Sequence, residues 1–188
     1  NPMNTIAEPL KSNEVHDNRG PAITKEDVVL EAGTDPAGVD WTQYFSAEDS
    51  VDGTIAVTAD NITVSEELDL ATPGEYGDAV AVKVTDNSGN ESEGKIKVTV
   101  YNPSNTTAPA VEVKAELPTV ALNTETSGIN WADYLESAKD ADGIDVKDKV
   151  TADLSELDTT TPGSYNVVLT VTDYAGNTSE VTVEVTVE

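Results

Sequence analysis

Any reactive chemistry in this chain must come from carboxylates and aromatic rings, because the usual nucleophiles and bases are nearly absent. It holds 36 acidic residues against 10 basic ones, one histidine and no cysteine. A serine or threonine nucleophile needs a base beside it. The single imidazole, His16, lies near the start of the chain, outside the repeated units identified below. There is no thiolate for catalysis or for zinc, and no G-x-G-x-x-G or phosphate loop. Carboxylate pairs of the glycosidase kind have ample raw material, but no motif selects one pair. These residues predict no enzyme.

Oxygen-rich turns are the one serious cofactor signal. Asp49, Asp52, Asp86 and Asn90 are followed later by Asp140, Asp142, Asp173 and Asn177. Calcium takes about 6–8 oxygen ligands, often from such turns. Aligned without gaps, Asp49 falls opposite Lys139, so Asp52 with Asp142 and Asp86 with Asp173 are the shared calcium candidates. Asp and Asn also close turns through their side chains with no ion present. That simpler reading predicts no cofactor. Trp41 with Tyr44, and Trp131 with Tyr134, stand at helical spacing and share a face. Such a pair either stacks on a sugar ring or plugs a core, and its repetition favours the plug. A Lys–Asn isopeptide cross-link from Lys25 or Lys114 is disfavoured, because the last strand pattern, E-V-T-V-E-V-T-V-E, has no Asn.

The elements that carry these residues occur twice. V-D-W-T-Q-Y-F at Trp41 returns as I-N-W-A-D-Y-L at Trp131. L-D-L-A-T-P-G-E-Y returns as L-D-T-T-T-P-G-S-Y, and V-T-D-N-S-G-N returns as V-T-D-Y-A-G-N. Trp41 to Trp131 is 90 positions, Pro73 to Pro162 is 89 and Gly89 to Gly176 is 87. A drift this small over a whole unit marks two copies of one domain. The spacing predicts a leader over 1–20, a first domain over 21–102, a connector over 103–108 and a second domain over 109–188. N-P-S-N-T-T-A-P reads as a short semi-stiff connector.

Within each copy, period-two runs such as V-A-V-K-V-T-D and V-T-V-E-V-T-V predict strands. D-x-x-G-N between the last two predicts a hairpin turn. Asp40 and Asn130 precede the Trp–Tyr segments as N-caps, predicting a short helical turn. Tyr76 and Tyr165 follow T-P-G-x and are read as structural, at the position of a tyrosine corner. Copy one is two residues longer here, which predicts a bulge near Gly77. The sum is an all-β fold: two tandem immunoglobulin-like Greek-key sandwiches, each with about seven strands and one short helical turn.

W-x-x-Y, D-G, L-D-x-x-x-P-G-x-Y and V-T-D-x-x-G-N in this order resemble the bacterial immunoglobulin-like tandem repeats of Gram-positive, Listeria-type cell-surface proteins and adhesins. The resemblance covers nearly all of 21–188. It implies a non-catalytic spacer or stalk that projects a functional head from the cell wall, with export signals outside this segment. The alternative is an adhesive module that contacts a host protein or a glycan. Neighbouring repeats of the same chain are the expected partners.

Composition agrees with an extracellular bacterial setting. The formal charge is −26 and Arg19 is the only arginine. Nucleic acid and anionic membrane surfaces both require clustered basic residues. Absence of cysteine leans toward a bacterial exported protein. No stretch has the length of a membrane span, and no signal peptide opens the sequence.

Overall fold

A computed structural model describes residues 17–188 of the chain. It is all β, with short 3-10 turns as the only helical elements among the described residues. The first module contains β1 (Ala22–Lys25), β2 (Val28–Glu31), β3 (Phe45–Asp49), β4 (Gly53–Ile55), β5 (Ile62–Val64), β6 (Gly74–Thr85) and β7 (Glu91–Tyr101). One sheet has the order β1-β3-β4, and the other has β2-β7-β6-β5. The opening run A-I-T-K-E-D-V-V-L breaks at Glu26–Asp27 and changes sheet. Its first half pairs antiparallel with β3, and its second half pairs parallel with β7.

The second module contains β8 (Ala110–Val113), β9 (Leu135–Lys139), β10 (Val150–Asp153), β11 (Gly163–Thr172) and β12 (Thr178–Val187). It has five strands where about seven were expected. Two elements of module one shrink here to single bridges, Val120 to Val187 and Lys139 to Asp145. Pro118 explains the first loss. Counted from the left-handed turn residues Gly33 and Asn123, it stands where module one has Val28, and proline has no N–H for a ladder.

Alternation drives the burial. In β3, Phe45, Ala47 and Asp49 point inward while Ser46 and Glu48 face water. β6, β7, β11 and β12 present valines on the same period. The two cores do not mix. Val28, Phe45, Leu70, Val80, Val82, Ile96, Val98 and Val100 form one. Tyr134, Leu135, Val146, Val167, Leu169, Val171, Val183 and Val185 belong to the other.

Two irregularities matter below. The β6–β7 register shifts between Tyr76 and Val80, which locates the expected bulge. The left-handed residue there is Asp78, at φ 51°, and not Gly77. A second shift, between β8 and β9, was not foreseen. Val113 pairs with Leu135 and Glu112 with Ser137, leaving Glu136 as the extra residue.

Candidate functional site

Each module closes one end with an aspartate at the start of the V-T-D-x-x-G-N turn. Asp86 Oδ1 accepts Asn90 N at 2.8 Å, and its Oδ2 accepts Asn90 Nδ2 at 2.8 Å. Asp173 receives the same pair from Asn177 at the same two distances. Both aspartates are buried. Gly89 and Gly176 take φ near +90°, at 87° and 90°, where a side chain would be strained. Burial alone pushes the Asp86 carboxyl up, but the side-chain and backbone hydrogen bonds from Asn90 and the backbone of Ser88 outweigh it. The net direction is below the ordinary aspartate value.

A second aspartate packs nearby. Asp49 Oδ1 accepts the N–H groups of Val51 at 2.7 Å and Asp52 at 3.0 Å. These bonds hold its carboxyl below the ordinary range. Asp140 does the same work in module two, accepting from Asp142 N and Ile144 N at 2.9 Å each. The register pairs Ala22 with Glu48 and Ala110 with Lys139. Asp49 therefore corresponds to Asp140, and the ungapped match to Lys139 is corrected. The bulge at Glu136 adds one residue to β9, and the turn that follows is one residue shorter.

Of the four calcium candidates, the structure brings Asp52 and Asp86 together. Asp52 is half-buried and its Oδ2 accepts Asn87 N at 2.9 Å, which ties it to the Asp86 turn. Asp142 is exposed. The residue that sequence reading missed is Asp17. Carboxylate oxygens of Asp17, Asp52 and Asp86 lie within 4.8 Å of one another. Asp17 was read as leader, yet its carbonyl accepts Asn90 Nδ2 at 3.3 Å. Asn105, read as connector, likewise accepts Asn177 Nδ2 at 2.9 Å. Both precede a buried proline by four positions, Pro21 and Pro109. That shared spacing was the available signal. Residues 1–16 of the expected leader, His16 included, lie outside the described residues.

The aromatic candidates sit on the cores. Asp40 and Asn130 cap their 3-10 turns by accepting from Thr42 N and Ala132 N. Trp41 and Tyr44 are half-buried with ring centroids 6.2 Å apart. Trp131 is half-buried 5.2 Å from Tyr134, which is fully buried. Tyr76 Oη donates to Thr72 O and Tyr165 Oη to Thr161 O, each at 2.9 Å. Lys25 is exposed and donates to Lys95 O at 2.6 Å.

The modules also touch. Tyr101 ends β7 and stacks on Tyr174, with ring centroids 5.8 Å apart. Lys149 Nζ lies 4.5 Å over the Tyr174 ring. Lys97 Nζ pairs with Glu75 Oε1 at 2.9 Å, and Glu75 Oε2 accepts Asp145 N at 3.4 Å. Burial, and the Glu31 carboxylate that accepts its hydroxyl, push the Tyr101 phenol up. A shallow open groove lined by Glu75, Lys97, Ala132, Asp145 and Lys147 lies beside the joint.

Residues 118–187 match the family model of the bacterial surface protein, Ig-like domain. The second module is a bacterial surface immunoglobulin-like domain. Module one repeats its motifs, its tyrosine corner and its closing turn, so the chain carries two copies of one Ig-like fold. The chain is also 32% identical over 180 residues to the pesticidal crystal protein Cry22Aa of Bacillus thuringiensis. The match takes in 94% of this chain and 23% of that protein, so the Ig-like pair spans about a quarter of its relative. Among solved structures, a lipoprotein from Bacteroides thetaiotaomicron aligns at 16% identity and TM-score 0.34, covering 87% of this chain and 98% of that one. Fibronectin(III)-like modules of Clostridium thermocellum CbhA align at 12% identity and TM-score 0.26, covering 89% and 94%. Among the described residues, no helix of the Ig-like pair is long and apolar enough to cross a membrane.

Proposed function

We propose that the pair is a non-catalytic spacer within a larger bacterial cell-surface protein, holding another domain away from the wall. The joint between the modules is the observation that carries this reading. Tyr101 on Tyr174, with Lys149 over the same ring, makes a half-buried aromatic contact across the seam. A contact of this kind limits bending at the joint beyond what a short connector does. Two sandwiches of roughly 35–45 Å in line would set a projection of about 70–90 Å, from strand rise and sheet packing. The repeated residues shape turns and cores, and the large apolar side chains that reach solvent, Val29, Val51, Val64 and Leu122, are scattered through the sequence. Scattered apolar residues are ordinary for a surface.

Distances between spin labels on the two modules test this. A single narrow distribution that broadens in Tyr101→Ala and Tyr174→Ala is expected. An equally broad distribution in the parent chain would defeat the stiff spacer. A groove lined by Val39, Trp41, Ile62 and Val64 supports the adhesive alternative. Glycan and protein arrays probed with the chain decide it: saturable binding lost in Trp41→Ala would replace the spacer with an adhesin.

A further inference from the structure

Module two completes its closing turn with a neutral side chain. Asn105 Nδ2 donates to Asp173 Oδ2 at 3.1 Å, beside the two bonds that Asn177 supplies to the same carboxylate. Module one has the same frame but puts Asp17 where module two has Asn105. An acceptor replaces a donor at a position already facing a carboxylate. Asp17 Oδ1 accepts Arg19 N at 3.2 Å. Asp17 Oδ2 is buried and has no hydrogen-bond partner. Asp52 is drawn to the same place, so three carboxylate oxygens gather within 4.8 Å of one another. None of the three ion pairs among the described residues involves Asp17, Asp52 or Asp86. A buried carboxylate oxygen with neither donor nor counter-charge is strongly unfavourable, and adjacent like charges add to the cost.

We propose that Asp17, Asp52 and Asp86 form a divalent-cation site, selective for calcium, that module one has and module two lacks. The cation supplies the positive partner that Asn105 supplies as an N–H in module two. Hard oxygen donors suit calcium, whose flexible shell at about 2.3–2.6 Å accepts an irregular set of carboxylates and waters, whereas magnesium at about 2.0–2.1 Å demands near-ideal octahedral geometry. Asp17 Oδ2 is the open ligand, and water completes the shell. In module two the turn after β9 is one residue shorter and Asp142 is exposed, so the third carboxylate is not delivered.

The test is calorimetric unfolding of the whole chain after chelation, then with calcium, magnesium or sodium chloride at matched ionic strength, together with titration calorimetry. One calcium ion per chain is expected. A hundredfold excess over Kd should raise the module-one Tm by roughly 10 °C or more, well above the magnesium and sodium controls. Asp17→Asn should abolish the calcium response while melting no lower than the parent in chelator, because its amide restores the missing donor. Asp142→Asn should respond to calcium as the parent does. A calcium shift no larger than the controls, or one retained in Asp17→Asn, or one lost in Asp142→Asn, would overturn the site.

Discussion

Tyr134 and Trp131 stand three residues apart on one 3-10 turn, yet they sit differently. Tyr134 is 1% exposed, and Trp131 is half-buried against the same core. Tyr134→Ala should therefore cost about 3–5 kcal/mol and Trp131→Ala clearly less, measured by denaturant unfolding. Equal losses would show that the indole carries the core. The motif announced both rings but not which one would be buried, because side-chain direction in a short turn depends on what lies beneath it. Gly94 is a similar case. A Cβ there would lie 2.9 Å from Ile23 Cγ2, while module two has the smaller Val111 and a Val181 at the matching places. Such volume exchange is visible only once strands are paired. Acid stability belongs to this scale too. Asp49, Asp69, Asp86, Asp153 and Asp158 are all held below the ordinary value of 3.8. The unfolded chain binds their protons first, so their contribution is present above that value and is lost as pH falls through the lower folded values. Stability by thermal melts should drop steeply below about pH 4, and a flat profile there would contradict these hydrogen bonds.

At the level of elements, the strands, hairpins and tyrosine corners were legible because their signals are local: period two, T-P-G-x-Y and D-x-x-G-N. What failed was anything set by pairing. The bulge at Glu136 displaced an ungapped alignment by one residue and hid the match of Asp49 with Asp140. The strand lost at Pro118 was legible in principle, since proline lacks the donor. Asp17 and Asn105 were read as linker because Pro, Gly, Ser and Asn dominate around them. Their hydrogen bonds to Asn90 and Asn177 show that the closing turn reaches back to both. We accordingly place the module starts at Asp17 and Asn105. A fragment of 105–188 should unfold at a higher denaturant midpoint than one of 109–188, with an unfolding free energy larger by roughly 1–2 kcal/mol for the side-chain bonds kept. Equal midpoints would return Asn105 to the connector.

For the whole molecule, charge dominates. At −26 the folded chain repels itself. Monovalent salt should raise every unfolding transition gradually by screening, with little dependence on the identity of the cation. A fall in Tm between 20 mM and 200 mM sodium chloride, concentrations of order the screening range, would mean that attractive pairs outweigh the repulsion. Screening is diffuse and reaches both modules. It is thus separable from a response confined to one carboxylate trio.

The parallel pairing of β2 with β7 has a mechanical meaning. These strands lie at opposite ends of module one, and four consecutive residue pairs join them, from Val28 with Val98 to Glu31 with Tyr101. Tension applied through the chain ends drags them in opposite directions along their length. The ladder is then loaded in shear, and its bonds must fail together rather than unzip one at a time. Module two holds the same place with the single bridge from Val120 to Val187. Pulled in a force spectrometer, the pair should therefore yield in order, module two at the lower force and module one at the higher. Restoring a donor with Pro118→Val should narrow that gap, and a first rupture in module one would show that the ladder does not bear the load. In a tether between a cell and its surroundings, the weaker repeat would act as the extensible fuse that spares the stronger one.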